Sequence, residues 1–313
     1  MDLSVLFTVG QTALEIGLFS ALTVLALFLS YSMLNVCDLS TDGCFTLGAV
    51  VGAVVAISGH PFLSLPVAML AGVCSGFVAA ILQTKMGINS LLAGIIVNTG
   101  LYSINIAIMG GSSLLNMNST TTVFTLFNDV IKDTPLAGYG KIIIALFAVV
   151  IIIAFLVFFL KTKLGLAIRA TGNNPDMVRS SSINPAFTTI IGLCIANSFT
   201  ALSGCLMAQA QKSVNIDIGT GMVTVALASL LIGEAFLGKN KVLRRAIGVV
   251  LGAIIFRLVY TIALRLNMPA FMLKLISSII VIIAIAGPYL KSQSSHYSRI
   301  LKHRSSMRKG GDK

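Results

Sequence analysis

The residues of this chain that could carry out chemistry are few and scattered. The stretch Gly233 to Lys239 matches the first seven positions of a phosphate-binding loop, but Asn240 stands where a Ser or Thr should bind Mg²⁺. The three histidines, His60, His296 and His303, lie at a turn and in a basic tail. The five cysteines have no metal-ligand spacing. We therefore expect no catalytic residue, no metal site and no cofactor in this chain.

Polar side chains inside apolar stretches indicate a different chemistry. If those stretches span a membrane, amide, hydroxyl and carboxyl groups there either line a path for a polar solute or hydrogen-bond between helices. Most of them are uncharged, which favours brief passage of a solute over tight binding. Asn105, Asn197 and Thr200 are open to both interpretations, and our candidates for a translocation path are Asn35, Asp38, Ser40, Asn98 and Tyr102.

The composition of the chain identifies the elements that must hold these side chains. Of its 313 residues 56% are hydrophobic and only 10% are charged, whereas a soluble domain carries about 25% charged residues. Residues 43–84 and 86–128 contain no Asp, Glu, Lys or Arg, and one spanning helix needs ~20 apolar residues. We therefore expect an all-α integral membrane protein in which each of these runs holds two spans.

Apolar length and turn residues predict about nine transmembrane helices in a domain covering residues 1–290, followed by a basic tail at 291–313. The first stretch is long enough to tilt or break. The predicted spans are 10–36, 43–59, 62–83, 88–109, 141–160, 187–207, 222–238, 246–265 and 270–290.

The distribution of Lys and Arg predicts the orientation. With nine spans and a cytoplasmic tail, 16 of the 22 basic residues fall on the inner side and four on the outer side. This bias is the one that cytoplasmic loops show, so we expect the N-terminus outside and the C-terminus in the cytoplasm. The basic tail is then a contact for anionic membrane lipids, and we expect no nucleic-acid partner.

Two segments of the chain resemble each other. Residues 38–43 (DLSTDG) and 215–221 (NIDIGTG) each precede a helix rich in small residues. The predicted topology places the first at the inner side and the second at the outer side. Such placement is typical of the inverted repeats and broken helices of transporters, which we therefore expect here.

A polar island, residues 161–185, is far longer than the other predicted inner connections. It has two interpretations, a solvated basic loop or a segment with an amphipathic helix at about 175–183. In the second case Asn174 and Pro175 begin the helix, because a proline in the first turn loses no hydrogen bond.

These residues carry a family resemblance. In and after the island stand Gly165, Arg169-Ala170, Gly172-Asn173, Ile183-Asn184 and the helix segment 201–204 (ALSG), and near the N-terminus stands 38–49 (DLSTDGCFTLGA). Together with the helices that follow, these blocks cover most of residues 30–290. The chain resembles permease subunits of the branched-chain amino-acid and ribose type (type II) of ABC importer, and is most similar to a branch thought to import tryptophan or other aromatic amino acids.

The resemblance implies a set of partners. It implies a second copy of the permease, two ATP-binding cassette ATPase subunits that carry the ATP and Mg²⁺, and an extracytoplasmic substrate-binding lipoprotein at a bacterial cytoplasmic membrane. The cytoplasmic island would then be the contact with the ATPase, carried by Gly172, Asn173, Pro175, Asp176 and Ile183. One departure is Ser180 to Ser182, where relatives often have a glycine before the Ile-Asn pair.

Two other functions stay open from the sequence. Related permeases carry sugars and nucleosides, so a sugar or nucleoside permease is the alternative within the family. An ion-coupled secondary transporter would also use an inverted repeat, but it would have no use for the long island. A membrane enzyme is poorly supported because no cluster of catalytic residue types occurs.

Overall fold

The computed structural model describes residues 3–132, 138–238 and 241–265, with a few isolated positions between 275 and 286. It is almost entirely helical in these ranges. Two short strands, β1 (Leu114–Asn116) and β2 (Ser213–Asn215), pair antiparallel with Leu115 opposite Val214. The helices are α1 (Leu3–Leu27, continued by a π-helix at Phe28–Met33), α2 (Thr41–Ile57), α3 (Ser64–Thr84), α4 (Ser90–Ile108), α5 (Val123–Ile131), α6 (Gly140–Phe159), α7 (Lys163–Asn173), α8 (Pro175–Ser180), α9 (Pro185–Gln211), a 3₁₀ turn (Ile216–Gly219), α10 (Met222–Leu237) and α11 (Val242–Arg265).

The predicted all-α membrane architecture is confirmed, and eight of the predicted spans correspond to helices. Within the described residues, seven helical segments are long and apolar enough to cross a membrane, and the 17-residue α2 is a shorter apolar helix. The predicted ninth span, 270–290, and the tail, 291–313, lie outside the described ranges, so the count of nine stays a prediction. The glycines of the stretch that resembles a phosphate-binding loop lie within and at the end of α10.

Small residues let the helices approach until their backbones touch. A Cβ atom on Gly48 of α2 would lie 2.1 Å from the carbonyl oxygen of Ala201 in α9, and one on Gly72 of α3 would lie 2.4 Å from that of Asn197. On the other side of the bundle, a Cβ on Gly252 of α11 would lie 2.1 Å from the carbonyl oxygen of Ser229 in α10. In lipid, where apolar burial does not favour helix association, this close packing stabilises the bundle.

The helices form two similar halves with opposite directions. In the first half α2 runs parallel to α9, with Gly48 beside Ala201 and Gly52 beside Cys205, and α3 runs antiparallel to α9. In the second half α10 runs parallel to α1. Their C-terminal parts meet where Ser32 hydrogen-bonds to Glu234. Their more N-terminal parts meet where Arg257 of α11 contacts both Ser20 of α1 and Met222 of α10. Helix α11 is antiparallel to α1, as α3 is to α9. Since α1 and α9 are themselves antiparallel, this is the predicted inverted arrangement.

The two ends of the bundle differ in charge. At one end, called the basic end here, lie the end of α1, helices α7 and α8 and the start of α11, where Arg245 contacts Ser32 and Phe28. At the opposite end, called the sheet end, lie β1, β2 and α5. The described loops that were predicted to be cytoplasmic thus share the basic end. Which end faces the cytoplasm stays a prediction from the charge count.

Candidate functional site

Helix α2 begins in the middle of the bundle, not at its surface. After the π-helix at the basic end, residues 34–40 return in irregular conformation to the level of Asn197, halfway along α9. The side chain of Asn197 donates to the Asp38 carboxylate at 2.9 Å, and the backbone N–H of Ser40 donates to its other oxygen at 2.8 Å. Asp38, Ser40 and Asn197 are all at most 1% exposed. Irregular backbone at this depth is stable because protein groups satisfy it.

Helix α10 also begins inside the bundle, and a side chain from the other half caps it. Asp42 in the first turn of α2 accepts the backbone N–H of Gly221 at 2.9 Å and that of Val223 at 2.8 Å. A carboxylate at a helix N-terminus satisfies free N–H groups and interacts favourably with the helix dipole. Gly219 fits against the backbone here, since a Cβ on it would lie 2.1 Å from the carbonyl oxygen of Asp42.

This contact corrects the predicted position of the two similar segments. The sequence interpretation put residues 38–43 at the inner side and residues 215–221 at the outer side. They instead meet inside the bundle, because α2 and α10 are both shortened helices whose N-termini point towards each other. The resemblance between the segments therefore reflects the inverted repeat, but the assumption that each lies at a membrane surface is wrong.

A polar cavity of about 270 Å³ opens beside this meeting point, between α2, α4 and the 3₁₀ turn. Its wall on α4 comes from residues spaced four and three apart, Asn98, Tyr102 and Asn105, which therefore share one helix face. Tyr102, Thr99, Asp217 and Thr220 are exposed at its mouth, whereas Asn105 is 1% exposed. We call this space the polar cavity; it is lined by Asp42, Gly43, Thr46, Asn98, Thr99, Tyr102, Asn105, Ile216, Asp217 and Thr220.

The structure separates the five predicted path residues into three places. Asn98 and Tyr102 line the polar cavity. Asp38 and Ser40 lie in the sealed, hydrogen-bonded cluster with Asn197. Asn35 is exposed at the basic end in a left-handed conformation with φ of 58°. The role of all five in a path stays a prediction, and only the first two share a cavity.

Sequence reasoning did not select Asp42, Thr46, Asp217 or Thr220 as site residues, although they line the cavity with Asn98. A signal for two of them was present, because Asp42 and Asp217 occupy the two similar segments. Asn105 was considered with the wider set of polar residues. Hydropathy could not rank these side chains, because their grouping depends on contacts between distant parts of the chain.

The island at the basic end is helical and largely exposed, which favours the helical interpretation over a solvated loop. Helix α8 begins where predicted, since the Asn174 side chain accepts the backbone N–H of Asp176 at 3.0 Å and of Met177 at 3.1 Å. Pro175, Asp176 and Met177 are exposed, as are the predicted coupling residues Asn173 and Ile183.

Gly172, also predicted to contact a partner, instead packs inward. A Cβ on Gly172 would lie 2.2 Å from the carbonyl oxygen of Met33 and 2.8 Å from the carbonyl carbon of Leu34. Helix α7 therefore touches the end of α1 at the point where the chain turns back towards Asp38.

Comparisons with known proteins agree with this architecture. Residues 13–285 match the family described as branched-chain amino acid transport system, permease component. No solved structure matches this chain.

Individual relatives cover most of the chain. A tyrosine transport system permease protein of Clostridioides difficile is 34% identical over 86% of this chain and 88% of its own length. An uncharacterised protein of Rickettsia prowazekii is 31% identical over 88% of this chain and 96% of its length. A ribose import permease of Haemophilus influenzae is 23% identical over 81% of this chain and 77% of its length. With the family matched over most of its length and spanning helices in the expected arrangement, the chain belongs to the branched-chain amino-acid transport permease family of type II ABC permeases.

Proposed function

We propose that this permease imports a small amino-acid solute with an aromatic side chain, through a path formed by two copies of the chain. The observation that carries the substrate class is the 34% identity to a tyrosine transport permease over 86% of the chain. The 23% identity to a ribose permease is lower and makes a sugar the second candidate; a nucleoside is the third. The size and polarity of the polar cavity suit a small solute.

Energy for transport is supplied in this proposal by a separate ATPase that binds ATP and Mg²⁺. An extracytoplasmic binding lipoprotein delivers the solute and provides most of the selectivity. The chain lies in a bacterial cytoplasmic membrane with its N-terminus outside and its basic tail inside. Cysteine-accessibility labelling at positions 3 and 310 tests this orientation, and labelling of both from the same side would contradict it.

Uptake by proteoliposomes that contain the permease, its ATPase and its binding protein tests the substrate. We expect ATP-dependent uptake of labelled tyrosine or tryptophan, and little uptake of ribose or a nucleoside. Transport of the sugar or the nucleoside alone would overturn the amino-acid assignment.

The exposed surface of α7 and α8 is the proposed docking surface for the ATPase. Its support is the exposure of Asp176 and Ile183 at the end of the bundle that carries most of the basic residues, together with the contact of Gly172 with the end of α1. A force on this surface would then act on residues 34–40 and on the start of α2.

Substitutions on this surface test the coupling. We expect Asp176→Lys and Ile183→Asp to leave membrane insertion intact while ATP hydrolysis no longer drives uptake. Met86→Asp is the control, because Met86 is 65% exposed in the α3–α4 connection at the same end. If the Asp176→Lys and Ile183→Asp variants transport as well as the control, the ATPase docks elsewhere.

A further inference from the structure

One buried atom in the polar cavity lacks a hydrogen-bond partner. The side-chain nitrogen of Asn105 donates to the carbonyl oxygen of Gly43 at 3.3 Å, and its Oδ1 atom accepts no hydrogen bond from any residue in the described ranges. The two atoms cannot be exchanged, because a carbonyl oxygen in place of the nitrogen could not donate to Gly43. A buried acceptor left without a hydrogen bond is energetically unfavourable. The floor of the cavity therefore favours a ligand that donates a hydrogen bond.

The charges of the cavity specify the kind of donor. Its lining contains two carboxylates and no Lys, Arg or His. The oxygens of Asp42 already accept N–H groups at the start of α10, where the helix dipole offsets the negative charge. The Asp217 carboxylate, by contrast, has no hydrogen bond or ion pair with any residue that the structure describes. An uncompensated negative charge remains at the mouth, and it attracts cations.

The third feature is an aromatic side chain at the same mouth. Tyr102 is 51% exposed and lies one turn from Asn105 on the α4 face that lines the cavity. An aromatic face attracts a cation and also packs well against another ring.

We propose that the polar cavity is a weak binding site for an organic ammonium group, with Asn105 Oδ1 and the Asp217 carboxylate as acceptors and Tyr102 beside the attached apolar group. The proposal rests on the proposed amino-acid transport and names the part of the solute that the permease itself recognises. Because Asp217 is exposed, its attraction is screened by solvent and salt, which keeps the affinity low. Low affinity suits a transport path, since a solute that binds tightly leaves slowly.

Ligand binding to the permease–ATPase complex in lipid nanodiscs, without the binding protein, tests this site. The probes are tyrosine, tyramine (ammonium without carboxylate), 3-(4-hydroxyphenyl)propionate (carboxylate without ammonium) and ribose, observed by saturation-transfer NMR. We expect signals from tyrosine and tyramine, and none from the other two. Absence of tyramine binding, or equal binding of the compound without the ammonium group, would overturn the proposal.

Matched variants locate the binding. Asp217→Asn should weaken tyramine binding about three- to fivefold, as expected for an exposed ion pair. Asp129→Asn removes the same charge at the same end of the bundle, from a residue paired with Lys132 outside the cavity, and should change nothing. Asn105→Leu should also weaken binding, and Asp217→Asn keeps the test decisive if that buried variant fails to fold. Equal binding by Asp217→Asn and Asp129→Asn would overturn the proposal.

Failure of the cavity proposal can be distinguished from failure of the proposed function. If the complex imports tyrosine but binds tyramine no better than the compound without an ammonium group, the cavity proposal fails and the proposed function stands. If it imports only ribose, the proposed function fails, whereas ammonium binding in nanodiscs is still decided by tyramine and Asp217→Asn.

Discussion

The two shortened helices, α2 and α10, begin inside the bundle in different ways. At the start of α2 the polar groups are sealed, with Asp38, Ser40 and Asn197 at most 1% exposed and bonded to one another. At the start of α10 the cap comes from Asp42 of the opposite half, and the neighbouring Asp217 and Thr220 are exposed at the polar cavity.

The polar groups at these two similar helix starts therefore differ in their access to solvent. In the sealed cluster both oxygens of the Asp38 carboxylate already accept hydrogen bonds, and these bonds fix the position of the helix start. The start of α10, by contrast, has the exposed carboxylate of Asp217 beside it. The inverted repeat thus supplies two equivalent helix starts, of which one is sealed by its own polar groups and the other borders an open cavity.

The largest effect should come from separating the two helix starts. In Gly219→Ala the new Cβ would lie 2.1 Å from the carbonyl oxygen of Asp42 and 2.5 Å from the Thr46 hydroxyl oxygen. The backbones must move apart, and we expect a loss of about 3 kcal/mol or more of stability. Fluorescence-detected size exclusion after heating measures it. Gly100→Ala on α4 is the control, because nothing lies within 4 Å of its Cβ position; equal stability of the two variants would contradict the close contact.

Breaking the sealed cluster should have the next largest effect. Asn197→Leu removes the donor at 2.9 Å from the buried Asp38 carboxylate, and we expect a loss of about 2–4 kcal/mol. The double variant with Asp38→Leu should be less destabilised than the sum of the two single variants, because no charge is then left unpaired. Thermal melts of the wild type, the two single variants and the double variant form a double-mutant cycle. Simple additivity of the two single effects would show that the two side chains do not interact.

Removing the cap of α10 should cost less. Asp42→Ala frees the backbone N–H groups of Gly221 and Val223, and helix caps contribute about 0.5–2 kcal/mol. Since this site borders the open cavity, solvent can replace part of the lost bonding. In the same melts, Asp42→Ala should be less stable than the wild type but more stable than Asn197→Leu. A loss as large as that of Asn197→Leu would mean that the second helix start is as sealed as the first.

The smallest structural effect is expected at the cavity wall. Asn98 is half-buried and has no hydrogen bond within the described residues, so Asn98→Leu should change stability by about 0.5 kcal/mol or less. Uptake should nevertheless fall severalfold if the side chain faces the solute. Undiminished uptake by this variant would remove Asn98 from the path.

The sequence alone determined much of the architecture. Apolar length located eight of the helices, with all ends but the start of α1 within four residues, because spanning a membrane requires a continuous apolar segment of fixed length. The Asn174-Pro175 pair located the start of α8, because capping is a local interaction. The family motifs in the island and near residue 40 indicated the family.

Only the tertiary structure decided which polar groups meet. Asp42 and Gly221 are 179 residues apart in the chain, and no local pattern predicts that one caps the helix that follows the other. The same holds for Asp38 and Asn197, which seal each other, and for Asn98 and Asp217, which share a cavity. Hydropathy measures the transfer free energy of one segment at a time. Whether a polar side chain within a span is paired or open to a solute depends on the segment packed against it.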